Sequence, residues 1–309
     1  MNKKNVLTVK NLNKIYQKKG SNPVTAIENL NLSVQQGEIF GLLGPNGAGK
    51  TTFINILSGS VMKTSGFVEV WGFNLDKNPR QVRASIGIVA QDVNLDPFFT
   101  PESLLDLQAG LYGIKKKDRI TSKILNLVSL EKQAKSYARS LSGGMKRRLM
   151  VAKSLVHQPP IIILDEPTAG VDVELRQNLW KNVKTLNQEG VTIILTTHYL
   201  EEAEKMCDRI GILNKGNLVA LDTTQKLLEK IQIKKISIKV NKRVNINESK
   251  FKTLKIVSST NNEINLSYDK NELKIDQIIK LIEENGARIL DLSTDDGDLE
   301  DVFLSLTKS

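Results

Sequence analysis

Glu38-Ile-Phe-Gly-Leu-Leu-Gly-Pro-Asn-Gly-Ala-Gly-Lys-Thr-Thr52 is the stretch on which the fold turns. Glu38 to Leu43 is a short apolar run that reads as a buried strand, and Thr52 to Leu57 reads as a helix. Between them, Gly44-x-x-x-x-Gly49-Lys50-Thr51 matches the phosphate-loop pattern in the context that motif requires, a strand before it and a helix after it. Gly44, Gly47 and Gly49 leave backbone N–H groups free to converge on phosphate oxygens without a Cβ in the way. Pro45, Asn46 and Ala48 complete the loop. The helix N-terminus near Lys50 adds its dipole to the same anion site. Lys50 is expected to reach the β- and γ-phosphates, the Thr51 hydroxyl to ligate Mg²⁺, and Thr52 to bond the α-phosphate. ATP with Mg²⁺ is the expected cofactor pair.

Outward from the loop, strand and helix signals alternate. Val6 to Val9 and Leu30 to Val34 alternate apolar and polar residues. Ile86 to Ala90, Ile161 to Leu164 and Thr192 to Leu195 are short aliphatic runs suited to a sheet covered on both faces. Helical segments, Val173 to Glu189 and Tyr199 to Met206, follow the last two runs. The order predicts an α/β fold with its site at the carboxyl ends of the strands. Ile161-Ile-Ile-Leu-Asp-Glu166 ends in two carboxylates of different use. Asp165 is placed to hold Mg²⁺, and Glu166 to orient or deprotonate the attacking water. Ser142, Gly143 and Gly144 precede Met145 to Leu155, a helical stretch, and so make a second helix N-terminus suited to phosphate.

Leu141-Ser-Gly-Gly-Met145, taken with the two motifs above, resembles the signature of the ATP-binding cassette (ABC) ATPases. The resemblance covers about residues 6 to 222, with the motifs in family order. Gln91 matches the glutamine loop, a Mg²⁺ or water contact. Ala169-Gly-Val-Asp172 matches the loop after the catalytic glutamate, His198 the switch histidine that senses the γ-phosphate, and Tyr16 the aromatic that stacks on adenine. The resemblance implies a P-loop NTPase core with an antiparallel β subdomain and a helical subdomain at about 97–155. It also implies a head-to-tail dimer, each signature completing the ATP site of a second copy of the chain. Met145 departs from the Gln common at the fifth signature position, which leaves the serine and backbone contacts to phosphate intact. Lys146-Arg-Arg-Leu149, Asp165 to Asp172, Thr196 to Glu204 and Asp298 to Phe303 are similar to ATP-binding subunits of bacterial multidrug-type exporters. Their implied partner is an integral-membrane permease on a separate chain, with Pro97 to Arg139 as the docking surface. The side chains of Lys146, Arg147 and Arg148 are themselves expected on a solvated helix face.

Composition narrows the alternatives. The 309 residues are 40% hydrophobic and 25% charged, enough for a large core. No run approaches the roughly 18 to 20 apolar residues of a membrane span, and no signal-peptide core follows Met1. The chain is therefore expected in the cytoplasm, held to the inner face of the membrane by the permease. Its single cysteine, Cys207, allows no internal disulfide and is expected to be a partly buried apolar residue. His157 is expected at the surface. The net charge of +10 lies wholly before Gln232. It would suit phosphates, lipid headgroups or nucleic acid, but no dense basic run with interleaved aromatics appears, and no nucleic-acid partner is expected. Ribosome-acting ABC proteins generally carry two cassettes, and chromosome ATPases interrupt theirs with long heptad coils; neither pattern occurs. The cassette is expected over 1–230. A small α+β accessory domain over 231–309 is read from strands at Lys235 to Val240, Phe251 to Val257, Glu263 to Tyr268 and Arg288 to Leu292. Its helices are read at Leu273 to Asn285 and Leu299 to Leu306.

Overall fold

Two long strands, β1 (Asn5–Tyr16) and β2 (Val24–Gln35), open the chain and pair antiparallel. Both extend well beyond the alternating segments Val6–Val9 and Leu30–Val34. The reason is local: Asn11 and Asn29 take positive φ of 47° each, and the register slips around them. A bulge resets which face each side chain takes, so period-two alternation holds on only one side of it. The computed structural model describes residues 4–17, 20, 22–92, 94–168, 173–244, 253–295 and 297–307.

Next come β3 (Ile39–Leu43), α1 (Lys50–Ser58), β4 (Ser65–Val70), β5 (Phe73–Asn74), α2 (Pro79–Ala84) and β6 (Ile86–Val89). The helical segment holds α3 (Pro101–Leu111), α4 (Thr121–Leu127) and α5 (Gly143–Leu155). The first unit closes with β7 (Ile161–Asp165), α6 (Val173–Gln188), β8 (Thr192–Thr197), α7 (Leu200–Met206), β9 (Arg209–Asn214) and β10 (Asn217–Thr223). A small sheet runs in the order β2-β1-β4-β5, and a larger one in the order β10-β9-β3-β8-β7-β6. In the larger sheet β3, β6, β7, β8 and β9 are parallel, and every residue of β3, β7 and β8 is buried. Leu43 pairs with Thr197, Asp165 with Thr196 and Val89 with Leu164. The loops leaving β3, β6, β7 and β8 therefore emerge along one edge, where an open α/β sheet binds ligands.

α3 begins with a capping box: Thr100 accepts from the Ser103 N–H while Ser103 accepts from the Thr100 N–H, and Pro101 occupies the first helical position. α4 is short because Lys116–Asp118 form a 3₁₀ turn before it and Ser129 takes φ 53° after it. Cys207 is buried, its Sγ against Gly41, and burial raises its thiol pKa, so it stays protonated and inert.

The chain divides into Met1–Asp222 and Thr223–Ser309. The division falls a few residues before the 230/231 junction read from the sequence. Thr223 caps α8 (Thr224–Glu229) by accepting from the Lys226 N–H, and α8 packs on a helix of the second unit. That unit continues with β11 (Ile233–Val240), β12 (Lys255–Ser259), β13 (Glu263–Asp269), α9 (Ile275–Glu284), β14 (Ile289–Asp295) and α10 (Leu299–Thr307), the partner of α8. Its antiparallel sheet runs β12-β13-β11-β14 around a core of Ile236, Ile238, Leu266, Tyr268, Ile278 and Ile282. The strand read at Phe251–Val257 starts only at Lys255; residues 251 and 252 lie outside the described residues. Among the described residues no helix is long and apolar enough to cross a membrane.

Candidate functional site

The loop after β3 is shaped by close backbone packing. A Cβ on Gly44 would lie 2.5 Å from the Leu213 carbonyl oxygen, and one on Gly49 2.5 Å from that of Ala26. Gly49 also takes φ 106° as the N-cap of α1, which only glycine adopts freely. No side chain caps α1 and no acidic residue sits in its first turn, so its N-terminal dipole is left for an anion. Lys50 is buried, and its ammonium donates to the carbonyls of Gly44 at 2.7 Å and Pro45 at 3.2 Å. Burial lowers its pKa, while the nearby Glu166 and Asp165 carboxylates hold it up.

Asn46, Gly47, Ala48, Gly49, Lys50, Thr51 and Thr52 line a cavity of about 640 Å³ together with Ala26, Gln91, Glu166 and His198. Three elements of distant sequence thus deliver Gln91, Glu166 and His198 to the phosphate loop. Glu166 Oε2 accepts from Gln91 Nε2 at 3.3 Å and lies 3.1 Å from His198 Nδ1. Glu166 itself has φ 45°, and its N–H donates to the Thr196 carbonyl at 3.0 Å. Asp165 stands behind this cavity rather than on it. It is buried, with Oδ1 accepting from the Thr196 hydroxyl at 2.5 Å, and burial raises its pKa. The Thr51 hydroxyl, Gln91 amide and Asp165 carboxylate offer hard oxygen donors, a set that fits Mg²⁺.

Other expected site residues stand elsewhere. Tyr16 ends β1, exposed and paired in the ladder with Val24, with the Lys14 ammonium 4.6 Å from its ring centroid; it does not line the cavity. Ser142, Gly143 and Gly144 also lie apart from it. Ser142 caps α5 by accepting from the Met145 N–H at 3.3 Å, and among the described residues nothing beyond Gly143's chain neighbours and its own helix backbone lies within 4 Å of a Cβ built on it. Ala169 to Asp172 lie outside the described residues.

Two expectations are overturned. Arg147 does not belong to a solvated face: it is 6% exposed and donates to five backbone carbonyls. It shares the buried stripe of α5 with Met150, Val151 and Leu155, at helical spacing, and that periodicity is its sequence signal. Arg148 likewise turns in, donating to the carbonyls of Val128 and Ser129. His157 is stacked on Tyr112, centroids 3.8 Å apart, and lies 3.0 Å from the Ile86 carbonyl. Thr196 is a site residue that sequence reasoning misses, because a threonine inside an aliphatic strand looks like ordinary β-propensity.

The family model described as ABC transporter matches residues 27–169. The linearmycin resistance ATP-binding protein LnrL of Bacillus subtilis (strain 168) is 33% identical over 315 residues, covering 98% of each chain. The chain belongs to the ABC transporter family. As a member it is an ATP-binding and ATP-hydrolysing subunit. The Nod factor export ATP-binding protein I of Ralstonia nicotianae (strain ATCC BAA-1114 / GMI1000) is 37% identical over 226 residues, 72% of this chain and 68% of that one. Among solved structures, the ATP binding subunit of an ABC transporter superposes with TM-score 0.64 at 28% identity, covering 73% of this chain and 92% of that one. A dimeric ATP-binding cassette in a post-hydrolysis state, bound to ADP and Pi, superposes with TM-score 0.63 at 28% identity, covering 71% and 98%. This ABC chain shares its cassette fold with those structures.

Proposed function

We propose that this ABC subunit powers export through a separate integral-membrane permease, as a cytoplasmic homodimer that closes on ATP and parts on hydrolysis. The observation that carries the catalytic reading is the meeting of Gln91 and His198 at Glu166 Oε2, inside the cavity of the phosphate loop. Glu166 is the base that takes a proton from the attacking water. Its partners hold the carboxylate in one orientation, so that little reorganisation remains at the moment of transfer. Lys50 exchanges the carbonyls of Gly44 and Pro45 for β- and γ-phosphate oxygens, and the N–H groups from Gly47 to Thr52 receive the rest. Thr51, Gln91 and Asp165 would hold Mg²⁺, which neutralises charge developing on the phosphates. His198 contacts the γ-phosphate, and Tyr16 offers its exposed ring to adenine.

Ser142 to Gly144 do not line the phosphate-loop cavity of their own chain, and in this reading they serve the nucleotide of a second copy. The dimeric state of the cassette bound to ADP and Pi fits that arrangement, and the names of LnrL and the Nod factor protein fit resistance and export. The permease docks on the helical segment, where Phe98, Leu107 and Leu111 are exposed. Beside them a groove of about 330 Å³ runs from Gln108 and Tyr112 to Ala90 and Asp92, the neighbours of Gln91. Nucleotide state at Gln91 can therefore be felt at the docking surface.

Glu166→Gln keeps the shape and both contacts but cannot accept the proton. Turnover should fall by about a thousandfold while an ATP-dependent dimer accumulates on size exclusion. Turnover close to wild type would refute Glu166 as the base.

A further inference from the structure

Arg147 lies at the second turn of α5, one turn after the signature residues, and its guanidinium is wholly engaged with main chain. Nε donates to the Pro167 carbonyl at 3.0 Å. One terminal nitrogen donates to Ala90 and Gln91 at 2.9 and 2.6 Å, and the other to Glu166 and Asp165 at 2.7 and 3.4 Å. Four of the five carbonyls belong to two loops, the one leaving β6 and the one leaving β7, and the fifth, that of Asp165, ends β7 itself. Among the described residues no carboxylate lies within ion-pair distance of it. A buried cation carries a desolvation cost that a methionine of similar length would avoid. Packing alone does not account for it, but a planar fork with five donors does, because it can hold two strand ends at fixed separation. Each loop carries one partner of the Gln91–Glu166 contact, and Glu166 sits at a φ of 45° that needs support from its surroundings.

We propose that Arg147 is a positioning residue for hydrolysis: it locks the main chain of Gln91 and Glu166 together and ties both to the helix that presents Ser142 to Gly144. Movement of α5 when a second copy engages the signature is thereby carried to the base and to the glutamine loop through one side chain. This role rests on the assignment of Glu166 as base.

The test uses the full chain with Arg147→Lys and Arg147→Gln, measuring kcat, binding of a fluorescent ATP analogue and the thermal midpoint. Lysine keeps the buried charge but donates from a single point, so it cannot span both loops. The phosphate loop is untouched, so nucleotide Kd should stay within about threefold of wild type while kcat falls by at least about tenfold in both variants. A kcat within about twofold of wild type in either folded variant overturns the proposal. So does a parallel loss of nucleotide binding, thermal midpoint and turnover in Arg147→Lys, which would mark a residue of the fold alone. Glu166→Gln separates the two assignments. If it kills turnover while the Arg147 variants run normally, only the role of Arg147 falls. If it leaves turnover intact, the base assignment has failed first.

Discussion

His157 shows how a single residue can take on a role that its sequence context hides. Followed by Gln158, Pro159 and Pro160, it has the look of a surface residue, yet its ring is packed flat on Tyr112. The Ile86 carbonyl can only accept, so Nε2 donates to it, and Nδ1 is buried with no hydrogen-bond partner among the described residues. Burial lowers the pKa from the usual 6.5 and outweighs the Ile86 contact, which raises it. Arg83 and Lys153 line the same groove and oppose a further positive charge, with Asp92 the acidic group there. Because the folded pKa lies below the unfolded one, the unfolded chain binds the proton first. Stability is full above the unfolded value and is lost as pH falls through about 6.5 toward the folded value. His157→Gln keeps a donor for Ile86 and removes the titration. The thermal midpoint of wild type should drop more between about pH 7.5 and pH 5.5 than that of the variant. Equal drops would show that His157 does not contribute to acid sensitivity.

At the scale of elements, the exposed face of the helical segment is one part of the fold that packing inside the chain does not explain. Leu111 is 74% exposed near the end of α3, and Phe98 is 68% exposed just before it. Leu111→Glu changes no buried contact, so ATPase activity of the isolated subunit should stay within about twofold of wild type. Co-purification of a multispanning membrane protein from the membrane fraction should be lost, since a desolvated carboxylate disfavours an apolar interface. Undiminished recovery would move the docking surface elsewhere, and recovery of ribosomes or DNA alone would remove the transporter reading. The same scale explains what is legible in the sequence. β3, β7 and β8, buried on both faces, are aliphatic runs, and the loops at their carboxyl ends hold the residue types their chemistry needs. Their meeting at one cavity follows from strand order. β1 and β2 are legible only in part because bulges at Asn11 and Asn29 break the alternation. Arg147 is misjudged when its charge is weighed ahead of its position on the buried stripe of α5. Its five partners are carbonyls, which no side-chain pattern records.

For the whole molecule the decisive question is whether a complete site needs two copies. The phosphate loop, Gln91, Glu166 and His198 share one cavity, while Ser142 to Gly144 present a capped helix start away from it. A site within one chain and a site shared between copies make different predictions for mixtures. Lys50→Ala spoils the phosphate loop and leaves the signature sound. Gly143→Asp does the reverse: among the described residues its Cβ meets nothing within 4 Å beyond its chain neighbours and own helix backbone, so the fold should survive while a carboxylate faces the phosphate it should bind. Each variant alone should be inactive, since both sites of either homodimer carry a fault. In a mixed dimer the two faults fall together in one site, and the other combines a sound loop with a sound signature. Random mixing in equal parts makes about half the dimers mixed, so roughly a quarter of wild-type activity should return if one sound site turns over alone. An equimolar mixture as inactive as its components, with mixed dimers demonstrated by differential tagging, would sink the shared site.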